Sequence, residues 1–277
     1  MNSTDIYTIQ LWVHAKPFNG QYMITYWHSS LLQLLKILDD MILVFMGHQQ
    51  DLPLCCLKLT LHARGDDGRL SALRALNKLP ELHTVRQESA RGLGDAVLTA
   101  AEHVGDVPFA VLLGDDLIEP SEILWQQMLE IYNEFGGSVL ALMEVSDSDV
   151  SKYGIAQLTS TTPLRVTDLV EKPEKEKAPS NLAIIGRYIL SPEIFSVLRH
   201  TSAGKGGEVQ LTDAIATLAR DERIGGPVHA VIADVRRFDT GDRLSYLKTV
   251  VEFATRREDL GREFTEWLKG FTRGLHD

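Results

Sequence analysis

Cysteine is nearly missing from this 277-residue chain, which has only Cys55 and Cys56, side by side. Adjacent thiols offer no disulfide framework and no zinc-ligand spacing, so a reducing compartment is expected and both read as small buried apolar groups. Long apolar runs are missing too. The best stretch, residues 31–46, is cut by Lys36, Asp39 and Asp40, which argues against a membrane span. Met1-Asn2-Ser3-Thr4-Asp5 lacks the basic start and apolar core of a secretory signal, so the expected location is cytoplasmic. Cations are in deficit. Against 38 Asp and Glu stand 28 Lys and Arg, a formal charge of -10, which opposes nucleic acid or an anionic membrane as partner. The sequence shows no Ser-His-Asp set, no paired catalytic Cys and His, no Walker-type Gly-Lys-Ser and no metal-spaced histidines, so neither a covalent nucleophile nor an imidazole-held metal is expected.

With 44% apolar and 24% charged residues, the chain reads as globular, with one or two domains. The first sixty-five or so residues differ from the rest, holding few charges, a cluster of Tyr and Trp and both cysteines. Residues 30–38 suggest a helix there and 41–46 a buried strand. After Gly68, apolar strands alternate with helical patterns, which predicts an α/β fold with a parallel sheet flanked by helices. Strands are expected at 82–85, 109–113, 138–145, 164–170, 181–190 and 228–235. Helices are expected after Gly94, at 120–135, at 192–199 with Ser191 as cap, at 209–221, at 243–257 and at 260–271. On the last of these, Phe264, Trp267, Leu268 and Phe271 share a side that packs on its own domain or on a neighbour in a homo-oligomer, the former being favoured.

Gly114-Asp115-Asp116 closes the 109–113 strand at the sheet edge where open α/β folds bind ligands. Two carboxylates there suit Mg2+, which takes one or two and completes its shell with phosphate and water; a turn is the alternative. Phe238-Asp239-Thr240-Gly241-Asp242 offers a second carboxylate, a glycine able to take an unusual backbone angle and a helix cap in Asp242. In Gln87-Glu88-Ser89-Ala90-Arg91-Gly92-Leu93-Gly94 the glycines would let a base or phosphate approach the backbone. Glu171 at the end of a strand could accept from sugar hydroxyls while Lys172 meets a phosphate. Glu208 falls in the expected first turn of a helix, where it complements the dipole or, through the glycines before it, reaches a ligand.

Together these segments, with Lys152-Tyr153-Gly154, the 178–190 stretch and 206–215, resemble the bacterial UTP:glucose-1-phosphate uridylyltransferases over about residues 80–270. The resemblance implies a Rossmann-like nucleotidyltransferase fold with a mixed, mainly parallel central sheet, Mg2+, and formation of UDP-glucose and pyrophosphate from UTP and glucose 1-phosphate. By position, Asp115 and Asp239 would hold the metal. Gln87, Gly92 and Gly94, with Asp115, would meet the nucleotide; Gly154, Glu171, Gly186 and Glu208 the glucose; and Lys172 the sugar phosphate, with Asp115, Lys172 and Asp239 as the catalytic set. Residues 80–277 would form the nucleotidyltransferase domain and 1–79 an atypical N-terminal region. Such enzymes open with a glycine-rich loop carrying Thr-Arg and then a Pro-Lys-Glu segment, and neither is found in residues 1–79. Three readings stay open at this point: an active uridylyltransferase, an impaired paralogue acting as a sugar-nucleotide-binding regulatory partner, and a thymidylyltransferase.

Overall fold

The computed structural model describes residues 7–11, 43–46, 82–85, 87–119 and 121–275. The chain runs β1 (Tyr7–Leu11), β2 (Leu43–Met46), β3 (Leu82–Val85), α1 (Leu93–Thr99), α2 (Ala101–Val104), β4 (Phe109–Leu113), β5 (Asp116–Glu119) and α3 (Ser121–Phe135). It continues through β6 (Ser138–Glu144), β7 (Gly154–Leu158), β8 (Val166–Glu171), β9 (Leu182–Leu190), α4 (Glu193–His200), α5 (Leu211–Arg220), α6 (Glu222–Gly225), β10 (Val228–Ile232), β11 (Arg236–Asp239), α7 (Arg243–Thr255) and α8 (Gly261–Arg273). Two units result, one of Met1–Gly114 and Pro120–Val235, the other of Asp115–Glu119 and Arg236–Asp277.

The first unit is built on a sheet in the order β10-β6-β9-β4-β1-β2-β3. Only β9 runs against its neighbours on this path, pairing antiparallel with both β4 and β6, while the other pairings are parallel. The sheet is therefore mixed and mainly parallel in direction, as expected. Off it, β7 pairs antiparallel with β8 and touches β9 at Ile155 and Ala183. Continuous apolar letters in β4 follow from burial on both faces. Phe109 and Val111 join Leu140, Leu142, Tyr188 and Leu190 against Val97, Ile194, Phe195, Leu198, Ile215 and Leu218 of α1, α4 and α5. The rings of Phe109 and Phe195 stack with centroids 4.7 Å apart. Leu124, Trp125 and Met128 are buried on α3, which packs against β6 and β10.

Several expectations need correction. Ser191 does not cap α4. Its hydroxyl is buried without a hydrogen-bond partner, its N–H donates to Ser138 Oγ at 3.0 Å, and Pro192 takes the position before the helix. The expected strand at 228–235 ends at Ile232, and the chain then enters the second unit as β11. Strands β5, β7 and β11 were not anticipated. The expected helix at 30–38, residues 41 and 42 of the expected strand, and the 79/80 boundary lie outside the described residues. Strands β1 and β2, both from residues 1–79, pair in parallel with each other inside the main sheet.

In the second unit β5 and β11 pair antiparallel, and Asp242 caps α7 as expected, accepting from Ser245 N at 2.8 Å. On α8, Phe264 and Leu268 are half-buried, but Trp267 and Phe271 are 57% and 52% exposed and stack on each other, so these two rings do not pack into their own domain. Among the described residues no helix is long and apolar enough to cross a membrane.

Candidate active site

In the second unit the β5–β11 pairing sets Asp239 opposite Asp116. Thr240 then pins the turn before β5: its N–H and its hydroxyl both donate to the Asp115 carbonyl at 2.8 Å. The Asp239 Oδ1 accepts from the amides of Gly241 at 3.1 Å and Asp242 at 3.2 Å, which fixes the carboxylate against the next turn. A Cβ built on Gly241 would stand 3.0 Å from Asp115 Oδ2 and 3.2 Å from Asp239 Oδ1, so both carboxylates face one point. Gly241 is thus needed for that close approach; contrary to expectation its φ is not positive. Asp116, the second carboxylate of the Gly-Asp-Asp run, forms a buried ion pair with Arg237, and Arg237 also reaches Asp239 Oδ2 at 3.2 Å. Two carboxylate oxygens facing one point are the hard donors that Mg2+ takes. Among the described residues no three His, Cys, Asp or Glu are grouped so that they could hold a metal ion between them.

In the first unit three distant segments meet. Glu171 ends β8, and its Oε2 accepts from the Thr212 hydroxyl, on the first turn of α5, at 2.7 Å. Gly154 starts β7 opposite Glu171 in the ladder. A Cβ there would lie 2.9 Å from Thr212 Oγ1 and 3.2 Å from Glu171 Oε2, so a side chain is excluded. Lys172 follows with φ 45°, a left-handed angle that a non-glycine residue before proline adopts only under tertiary constraint. The constraint is visible. Its N–H donates to Tyr153 O at 2.9 Å, its carbonyl accepts from Lys205 Nζ, and the next residue, Pro173, is buried. The Lys172 ammonium is 3.4 Å from Glu171 Oε1 and half exposed. Burial and the Glu171 carboxylate push the Asp213 carboxyl above its ordinary value, with Arg220 opposing.

The remaining expected residues lie on the same unit. Gly186 has φ 66° where the β6–β9 register shifts, and its carbonyl accepts from Arg187 Nη1 at 3.2 Å. Gly92 has φ 103°, and its missing Cβ would fall 2.7 Å from Glu208 Cβ, so these two residues touch. Gly94 turns inward: its amide donates to Val209 O at 2.9 Å. Glu208 is extended and precedes α5 instead of standing in its first turn, because Gln210 takes the cap position. Gln87 Nε2 donates to Asp95 Oδ2 at 2.7 Å and to Gly92 O at 3.3 Å.

Residues 61–255 match the model of a family described as nucleotidyl transferase. UTP–glucose-1-phosphate uridylyltransferase 2 of Staphylococcus saprophyticus is 39% identical over 77% of this chain and 73% of its own length. The chain belongs to this nucleotidyl transferase family, with the UTP–glucose-1-phosphate uridylyltransferases. Members of known structure share its fold. A UTP-bound UGPase from Acinetobacter baumannii aligns with a TM-score of 0.77 at 28% identity, over 95% of this chain and 98% of that one. A UDP-glucose pyrophosphorylase complexed with UDP-glucose aligns with a TM-score of 0.74 at 28% identity, over 91% and 100%. Four residues that touch the expected ones were not singled out from sequence: Thr212, Asp95 and Lys205 in the first unit and Arg237 in the second. Thr212 and Asp95 lie inside quoted motifs, but their partners are 41 and 8 residues away and no spacing rule links them.

Proposed function

We propose that this chain makes UDP-glucose and pyrophosphate from UTP and glucose 1-phosphate. The carrying observation is the meeting of Gly154, Glu171 and Thr212 beside Lys172, which supplies a carboxylate for sugar hydroxyls next to a cation for a phosphate. Glu171 accepts from the glucose hydroxyls, oriented by Thr212; Gly154, Gly186 and Glu208 complete the sugar's surroundings. Lys172, held in its left-handed turn, meets the sugar phosphate as a point charge. Gln87 with Gly92 and Gly94 receives the base. A phosphate oxygen of glucose 1-phosphate attacks the α-phosphorus of UTP in line, the bond from that phosphorus to the bridging oxygen breaks, and pyrophosphate leaves with the electron pair. No residue forms a covalent bond, so catalysis consists of positioning and charge neutralisation. Asp115 and Asp239 would hold Mg2+, which supplies neutralisation of the triphosphate and a template for its geometry.

Pyrophosphate release from UTP, measured with and without glucose 1-phosphate and Mg2+ and with an Asp115→Ala control, tests this reading. Release that needs both additions and vanishes in the control is expected. A folded protein that binds UDP-glucose yet releases nothing would instead be a sugar-nucleotide-binding partner, and preference for dTTP over UTP would make the enzyme a thymidylyltransferase.

A further inference from the structure

The structure fixes the orientation of the Gln87 amide, a polar side chain of the proposed base site, from behind. Its Nε2 has two hydrogens, and both are directed at acceptors: Asp95 Oδ2 at 2.7 Å and the Gly92 carbonyl at 3.3 Å. Asp95 is 5% exposed and its other oxygen is ion-paired with Arg91 at 2.7 Å, so it stands there as an acceptor-only carboxylate. An amide oxygen turned toward two acceptors would be repelled, so Nε2 and not Oε1 faces Asp95 and Gly92. Oε1 is thereby left on the far side of Cδ. A side chain able to donate and accept has become, toward a ligand, an acceptor alone.

We propose that Asp95 is a positioning residue that locks the Gln87 amide with its oxygen outward, so that Gln87 accepts from the N3–H of a uracil or thymine and opposes the N3 lone pair of cytosine. This rests on the reading that Gln87 faces the base. A site whose polar group is left mispaired by the wrong substrate discriminates strongly, whereas shape alone separates two pyrimidines poorly. Replacing Asp95 by Asn supplies a donor as well as an acceptor, which frees the Gln87 amide to flip.

The test is the affinity of the purified chain for UTP and for CTP by titration calorimetry, for the wild type, Asp95→Asn and Gln87→Met, with melting temperatures alongside. UTP should bind the wild type more tightly than CTP. In Asp95→Asn the UTP-to-CTP ratio should narrow by at least about tenfold, while a merely structural loss would weaken both nucleotides equally. Should Asp95→Asn not fold, Gln87→Met must narrow the ratio by itself. Equal weakening of both nucleotides in a folded Asp95→Asn, a wild type that does not distinguish them, or a wild type that binds neither, overturns the proposal. Binding is read without turnover, so an inactive protein that prefers UTP would refute the proposed reaction and leave this inference standing.

Discussion

Replacing Thr212 by valine, which keeps the shape and removes the hydroxyl, should weaken glucose 1-phosphate recognition more than it weakens anything else. In the folded chain this hydroxyl donates to Glu171 Oε2 at 2.7 Å, Thr212 is 8% exposed, and the Glu171 side chain is 12% exposed. Water cannot easily replace the lost donor, and a hydrogen bond to a charged group contributes about 1.5–3 kcal/mol. At about 1.4 kcal/mol per decade, that corresponds to a loss of about tenfold to a hundredfold in kcat/KM for glucose 1-phosphate. A coupled pyrophosphate assay at saturating UTP gives the value, and the same assay at saturating glucose 1-phosphate gives the KM for UTP, which should stay within about twofold. Thr212→Ser restores the hydroxyl and should recover most of the loss. A valine variant with wild-type kcat/KM for glucose 1-phosphate, or one that loses UTP recognition instead, would refute the claim that Thr212 acts through Glu171.

Gly154→Ala should damage the same cluster by pushing from the other side: its Cβ would sit 2.9 Å from Thr212 Oγ1, and overpacking of this kind costs about 1–3 kcal/mol, readable as a lower melting temperature together with a higher KM for glucose 1-phosphate. Asp239→Asn should lower activity by about a hundredfold or more, and a titration with Mg2+ should show a weaker dependence on the ion; unchanged half-saturation would remove Asp239 from the metal set. His229 is buried in β10, and burial, against a backbone contact at Leu164 and with the Arg165 charge, holds its pKa below the ordinary 6.5. The folded chain therefore keeps the ring neutral while the unfolded chain takes up a proton, so its contribution to stability is complete above about pH 6.5 and falls as the pH drops toward the folded value. Denaturant melts between pH 7 and 5 should show this slope, and His229→Leu should flatten it.

Where the sequence was readable, the reason is burial. Strands such as β4 and β9 are covered on both faces, and their unbroken apolar letters between Gly, Pro and Asp clusters leave little choice of structure. Strands β5 and β11 are four residues long and pair with each other across more than a hundred residues, and β7 is five residues long and begins at a glycine, so little that is local marks them. The proposed roles of Asp115 and Asp239 in one unit, and of Glu171 and Lys172 in the other, start from carboxylates and a lysine at strand ends, where a core has few uses for them. Asp116 looked equal to Asp115 in the sequence; only Arg237, brought over by the β5–β11 pairing, separates them. Thr212 and Asp95 were invisible for a similar reason, since each hydrogen-bonds a side chain that folding alone brings within reach.

The left-handed turn at Lys172 sets two kinds of selection against each other. A non-glycine residue at φ 45° before a proline carries strain of about 1–3 kcal/mol, and glycine at this position would relieve it. Evolution toward a more stable chain would therefore favour Lys172→Gly, and on the proposed reading the same change would discard the cation that meets the sugar phosphate. Libraries screened by melting temperature and libraries screened by UDP-glucose formation should diverge at this residue first, the one collecting glycine and the other keeping lysine.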